Sequence, residues 1–113
     1  KAMNNIITID GHKAVIAFDP DIGMFRGEFT GLSGGADFYA TDVDGLRREG
    51  AISLRVYLDA CKKDGIEPLA KASGALNLRV SPELHRAATL AAKASGKSLN
   101  QWATEALTAI VRE

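Results

Sequence analysis

Cysteine is all but missing from this chain. Cys61 stands alone, so no internal disulfide can form and no cluster of thiolates can bind zinc. A reducing, cytosolic compartment fits that usage. Long apolar runs are missing too: none approaches the ~18 residues of a membrane span, and no secretory signal precedes Met3. Lys1-Ala2 ahead of that methionine reads as a vector-derived leader. His12 and His85 lack a second His or Cys at ligand spacing, which leaves both as polar surface residues and predicts no metal site. Gly34-Gly35 leads into a strand and not a helix, so no phosphate-cradling loop is present and no cofactor is expected. Net charge vanishes as well, with 14 Lys/Arg against 14 Asp/Glu. Such a balance argues against a general nucleic-acid binder.

The zero hides a division. Through Ala70 there are eight Lys/Arg against eleven Asp/Glu, a net of minus three; from Lys71 onward there are six against three, a net of plus three. The second half has the local excess that phosphate binding needs, and the first suits a basic partner. At 113 residues the chain has room for one ordinary domain or two small ones. It reads as two: residues 3–67, a linker at 68–74, and residues 75–113. No internal repeat or low-complexity tract interrupts them.

In the first part, Asn5 to Asp10 and Lys13 to Asp19 are β-rich runs joined at Asp10-Gly11, a dipeptide suited to a tight hairpin. Asp19-Pro20-Asp21-Ile22-Gly23 makes a second turn and Met24 to Thr30 a third strand. Gly31-Leu32-Ser33-Gly34-Gly35 breaks the chain before a short fourth strand, Ala36 to Ala40. An antiparallel meander results. Thr41 is expected to cap a long helix, with Asp44 three residues on in a variant capping box. Val43, Leu46, Gly50, Leu54, Tyr57, Leu58 and Cys61 recur at helical spacing, which predicts one buried face against the sheet. Gly65 ends the helix.

The second part opens on Leu76-Asn77-Leu78-Arg79-Val80, where apolar and polar residues alternate as in a half-buried strand. No partner strand lies nearby in the chain, and a lone strand cannot satisfy its own backbone groups. Ser81-Pro82-Glu83 then starts a helix, with Ser81 as N-cap and Pro82 at the first helical position. Gly96 stops it. Ser98-Leu99-Asn100-Gln101 opens a second helix with a capping box. A module of roughly forty residues buries too little surface to stand alone. A dimer is therefore expected, its two strands paired into an antiparallel ribbon, with Leu76, Leu78, Val80 and Trp102 in the shared core.

With its Asn77-Leu78-Arg79, Ser81-Pro82-Glu83 and Gly96-Lys97-Ser98-Leu99-Asn100 segments, this part resembles the ribbon-helix-helix DNA-binding domains of the Arc and MetJ repressor class. The resemblance implies that Ala75, Asn77 and Arg79 face base edges in the major groove, while backbone N–H groups at Ser98, Leu99 and Asn100 hold a phosphate. Ala75 offers only a methyl group where a polar residue is often seen. Over nearly the whole chain from Met3, the order of elements resembles a HicB-type antitoxin. Asp10-Gly11, Phe18-Asp19-Pro20-Asp21, Phe25-Arg26-Gly27-Glu28, Tyr57-Leu58 and Ser98-Leu99-Asn100-Gln101-Trp102 carry that likeness. It implies an α+β architecture: a reduced RNase H-like sheet with one long helix, then the ribbon-helix-helix. The implied partners are a small basic HicA-type toxin that cleaves mRNA and double-stranded operator DNA, with a homodimer or a tetramer as the assembly. Asp19, Asp21, Glu28 and Asp37 are the candidate toxin contacts.

An RNase H-like sheet raises the question of a two-metal nuclease, which needs carboxylates converging on two metals. Asp10, Asp19 and Asp21 sit at turns and Asp42 within the first turn of a helix, where turn and cap chemistry accounts for them. No catalytic residue is expected. The sequence therefore predicts a cytoplasmic binding protein that neutralises a toxin and represses its own operon. The competing reading is a plain ribbon-helix-helix repressor whose N-terminal domain senses a ligand or mediates oligomerisation.

Overall fold

A computed structural model describes residues 4–112; residues 1–3 and 113, and with them the leader reading of Lys1-Ala2, lie outside the described residues. The chain divides into two compact units, one formed by Asn4–Ser73 and the other by Gly74 onward. The described residues make an α+β protein with one four-stranded antiparallel sheet and three helices. None of these helices is long and apolar enough to cross a membrane.

In the first unit β1 (Ile6–Ile9), β2 (His12–Asp19), β3 (Met24–Phe29) and β4 (Asp37–Ala40) lie side by side in chain order. Asp10 and Gly11 both take positive φ, 49° and 81°, the geometry of a two-residue turn whose twist matches the strands it joins. That turn sets Ile9 opposite His12 and Ile7 opposite Ala14. Alternation does the rest: Ile7, Ile9, Ala14, Ile16, Phe25, Gly27, Phe29, Phe38 and Ala40 share the face that meets the helix.

Helix α1 (Val43–Asp64) covers that face with Leu46, Gly50, Leu54 and Cys61 buried. Its cap corrects the sequence expectation. Asp42, and not Thr41, is the N-cap, with extended backbone and its Oδ1 accepting the Gly45 N–H at 2.6 Å. The box expected between Thr41 and Asp44 is absent because the helix starts one residue later. Val43, expected in the buried stripe, is 58% exposed, because it borders an open groove over Ile7, Ile16, Phe18 and Phe25 that the helix does not fill. At the other end Gly65 takes φ 65°, and the Ile66 N–H reaches Cys61 O at 2.8 Å, a Schellman stop.

Segment 67–70, read from the sequence as linker from residue 68 on, is bonded to this unit. The Tyr57 hydroxyl donates to Pro68 O at 2.8 Å and accepts the Gly34 N–H at 3.0 Å. Ser33 Oγ donates to Glu67 O at 2.7 Å, and the Ala70 N–H to Gly31 O at 2.9 Å. What joins the units is thus shorter than the composition suggests.

The second unit contains α2 (Pro82–Ala94) and α3 (Leu99–Val111). Ser81 Oγ accepts the Leu84 N–H at 3.2 Å, and Gly96 with Lys97 closes α2 through bonds to Lys93 O and Ala92 O. Ser98 and Gln101 form the full reciprocal box at α3. No strand forms at 76–80 in the single chain.

Gly27 and Gly50 leave room for the Phe38 ring, and a Cβ at Gly27 would strike three of its ring atoms. Gly27→Ala should destabilise the chain by about 1–3 kcal/mol through overpacking. Urea unfolding measures it, and an unchanged midpoint would mean the ring has space that the packing denies.

Candidate functional site

Two surfaces gather the residues singled out from the sequence. The first is the segment leading into α2. Gly74 takes φ 86°, after which Leu76, Leu78 and Val80 lie 69%, 65% and 47% exposed. An apolar groove runs beside them, with Leu78, Val80, Leu84, Leu99, Trp102 and Leu107 among its lining residues. Trp102 is half-buried there, and Ala92 is the one buried apolar residue among the described residues of this unit. The single chain thus leaves the unit's apolar side chains in water. Burying a side chain of this size from water is worth ~1.5–3 kcal/mol, so the exposure represents a large unused driving force for association.

Asn77 and Arg79 are exposed in the same segment and make no hydrogen bond or ion pair among the described residues. Ala75 is exposed as well. At the start of α3 the three amides expected to meet phosphate are not equivalent. The Ser98 N–H donates to Gln101 Oε1 at 3.1 Å, which completes the capping box. Leu99 and Asn100 keep the open amides of the first turn. Lys97 beside them is paired, its Nζ 2.8 Å from Glu105 Oε1.

The four acidic candidates fall into two separate pairs. Asp19 and Asp21 sit at the β2–β3 turn, where Asp19 Oδ1 accepts the Asp21 N–H at 3.0 Å. Glu28 and Asp37 face each other across β3 and β4 on the sheet side away from α1. Sequence reasoning passed over Arg26, which lies between them, 2.5 Å from Asp37 Oδ2 and 3.8 Å from Glu28 Oε2. The Asp37 hydrogen bond, then the charges of Asp37 and Glu28, raise the Arg26 guanidinium above its ordinary value. Its signal was visible in Arg26-Gly27-Glu28, where a two-residue step puts both charges on one sheet face. Glu28 and Asp37 are thus partly neutralised by one guanidinium and not a bare acidic patch.

His12 turns its ring Nδ1 to Asp10 O at 3.0 Å, and Cys61 is buried as a free thiol. Among the described residues no three His, Cys, Asp or Glu side chains group closely enough to hold a metal ion.

These features describe a two-unit α+β protein whose candidate sites are open surfaces. A family model described as the HicB family matches residues 57–107, a little under half of the chain. The matched stretch runs from the middle of α1 through most of α3. No curated protein and no solved structure matches the chain.

Glu28 and Asp37 are directly opposed across the strands, a like-charge pairing that destabilises sheets, and Arg26 offsets it by meeting both carboxylates. Arg26→Ala should lower the thermal midpoint in dilute buffer, and the deficit should narrow as sodium chloride is raised and screens Glu28 from Asp37. A deficit that ignores salt would assign Arg26 a packing role instead.

Proposed function

We propose that this chain is a HicB-type antitoxin. In this reading its first unit, a reduced RNase H-like fold, binds and blocks a small basic HicA-type toxin that cleaves mRNA. Its second unit is a ribbon-helix-helix that dimerises and represses the operon encoding both proteins. The observation that carries the reading is the HicB family match at residues 57–107, because it crosses from one unit into the other and takes in α2 and most of α3. The family is of the antitoxin type. The work assigned to the chain is binding at two surfaces, without catalysis.

Support for the ribbon comes from the alternation at 76–80 and the exposure of its apolar members. Two copies would pair these segments antiparallel, bury Leu76, Leu78, Val80 and Trp102 on four shared helices, and turn Asn77 and Arg79 outward. In a major groove Arg79 would bond a guanine and Asn77 an adenine, each through two hydrogen bonds. The open amides of Leu99 and Asn100, at the positive end of α3, would take a phosphate. Support for the first unit as the toxin site is weaker and electrostatic, resting on its net negative charge.

Under this reading Arg79→Ala should cost about 1–3 kcal/mol of operator affinity with the fold unchanged. Mobility-shift titrations at fixed salt, using DNA from upstream of the gene, measure it. Unchanged affinity would take Arg79 off the reading face.

Leu78→Asp addresses assembly. In the single chain the residue is exposed, so the substitution should leave the helices formed; in a ribbon dimer it would place an uncompensated charge in the shared core. Sedimentation should therefore find monomers where the parent chain is dimeric, and DNA binding should disappear with the dimer. An intact dimer formed through the second unit would rule out the ribbon. A reading frame for a small basic protein beside the gene separates this proposal from the ligand-sensing repressor, which needs none.

A further inference from the structure

Helix α1 leaves one end of its sheet face uncovered. Beyond its first turn lies an open cavity of about 300 Å³, floored by Ile7, Ile16, Phe18 and Phe25 and walled by Val43 and Leu46. Phe18 and Phe25 meet edge to face, with ring centroids 5.6 Å apart. Phe18 nonetheless stays 57% exposed, as does Val43 to a similar degree. Aromatic and β-branched side chains left this bare around one concavity are unusual on a surface that works alone. A small ligand would be poorly served here, because pockets for such molecules bury 70–90% of their occupant, whereas this groove is open along one side. A single side chain of a docking protein fits it better.

The charges around the groove say which kind of protein. Asp42 and Asp44 flank Val43 and are exposed; Asp19 and Asp21 occupy the turn at the same end of the sheet. The neighbouring cations are turned to other partners. Arg47 donates to Thr8 O at 3.4 Å, Arg48 lies 3.7 Å from Glu49, and Arg26 is on the opposite face between Asp37 and Glu28. An apolar socket beside unbalanced carboxylates matches a basic surface that presents one apolar anchor. The carboxylates would steer approach, and the anchor would hold the complex.

We infer that this groove is where the first unit receives its basic protein partner, the anchor entering between Phe18 and Val43 with Lys or Arg residues beside Asp21 and Asp44. The inference rests on the antitoxin reading and assigns it a site. It also separates the acidic candidates: Asp21 works at the groove with Asp19 beside it, while Glu28 and Asp37 serve the sheet's other face.

The test titrates the full-length chain with the small basic protein encoded beside its gene, by calorimetry at two salt concentrations. Phe18→Ser and Val43→Arg alter exposed side chains, and circular dichroism checks that each variant keeps its structure. Each should weaken binding about tenfold or more. The double variant Asp21→Asn with Asp44→Asn should bind more weakly at low salt and show a flatter salt dependence. If the parent chain binds and all three variants match it, the groove is idle and the inference falls while the antitoxin reading stands. If the parent chain does not bind, both fall. Should Phe18→Ser or Val43→Arg break up an oligomer and spare partner binding, the groove is a self-interface, which also overturns the inference.

Discussion

Everything in the first unit depends on how closely α1 can approach the sheet, and that distance is set by one ring between two glycines. Phe38 projects from β4 into space that a Cβ at Gly27 would occupy, and a Cβ at Gly50 would strike Ile9 and crowd the same ring. The ring also lies against Phe29, with centroids 5.1 Å apart. Around it Ile9, Ala14, Ala40, Leu46 and Leu54 complete a small core with no buried polar residue among the described residues. Small residues at Ala14, Ala36 and Ala40 are the counterpart of the large ring, since a thin core must alternate bulk with clearance to reach interior density. Helix and sheet can then close over one central cluster, which leaves the sheet's end near Phe18 uncovered.

The second unit has the opposite economy. Its helices are well terminated: a serine cap and Pro82 for α2, a glycine stop at Gly96, and a reciprocal box at Ser98 and Gln101. Local chemistry of this quality is enough to start and stop helices but contributes little to holding them together. With Ala92 as its one buried apolar residue among those described, the unit lacks a core of its own in the single chain. A second copy that covers Leu76, Leu78 and Val80 would supply what the caps cannot. The physical contrast between the units, one closed on its own core and one left open, is the reason association is assigned to the second.

Electrostatics divides along the same line, though less simply than a residue count suggests. The first unit's negative excess does not form a single patch: Arg26 absorbs Glu28 and Asp37, Asp42 is engaged as a helix cap, and the turn at Asp19 and Asp21 stands apart. In the second unit Lys97 is held by Glu105, whereas Arg79, Arg86, Lys93 and Arg112 are exposed without an ion pair among the described residues. Charge counts located the interesting halves of the chain. Pairings between residues distant in sequence, invisible to those counts, decided which charges are available.

Local rules read directly from the residues carried most of the architecture. Asp10-Gly11 dictates its turn because only such a pair takes positive φ twice at low cost, and Ser81, Pro82, Gly96 and Ser98 delimit their helices through bonds to neighbours in sequence. The stripe Leu46, Gly50, Leu54 and Cys61 named most of the buried face of α1 for a similar reason, since residues three and four apart share one side of a helix. Tertiary structure decided the rest. Whether Thr41 or Asp42 caps α1 depended on where the helix meets the end of β4, and Val43 left the core because it borders a groove over the sheet that the helix does not fill. The bonding of residues 67–70 to Ser33, Gly31 and Tyr57 joins positions at least ten apart. The groove at Phe18 exists only because a helix of one length lies across a sheet of another, a mismatch that no single stretch of sequence contains.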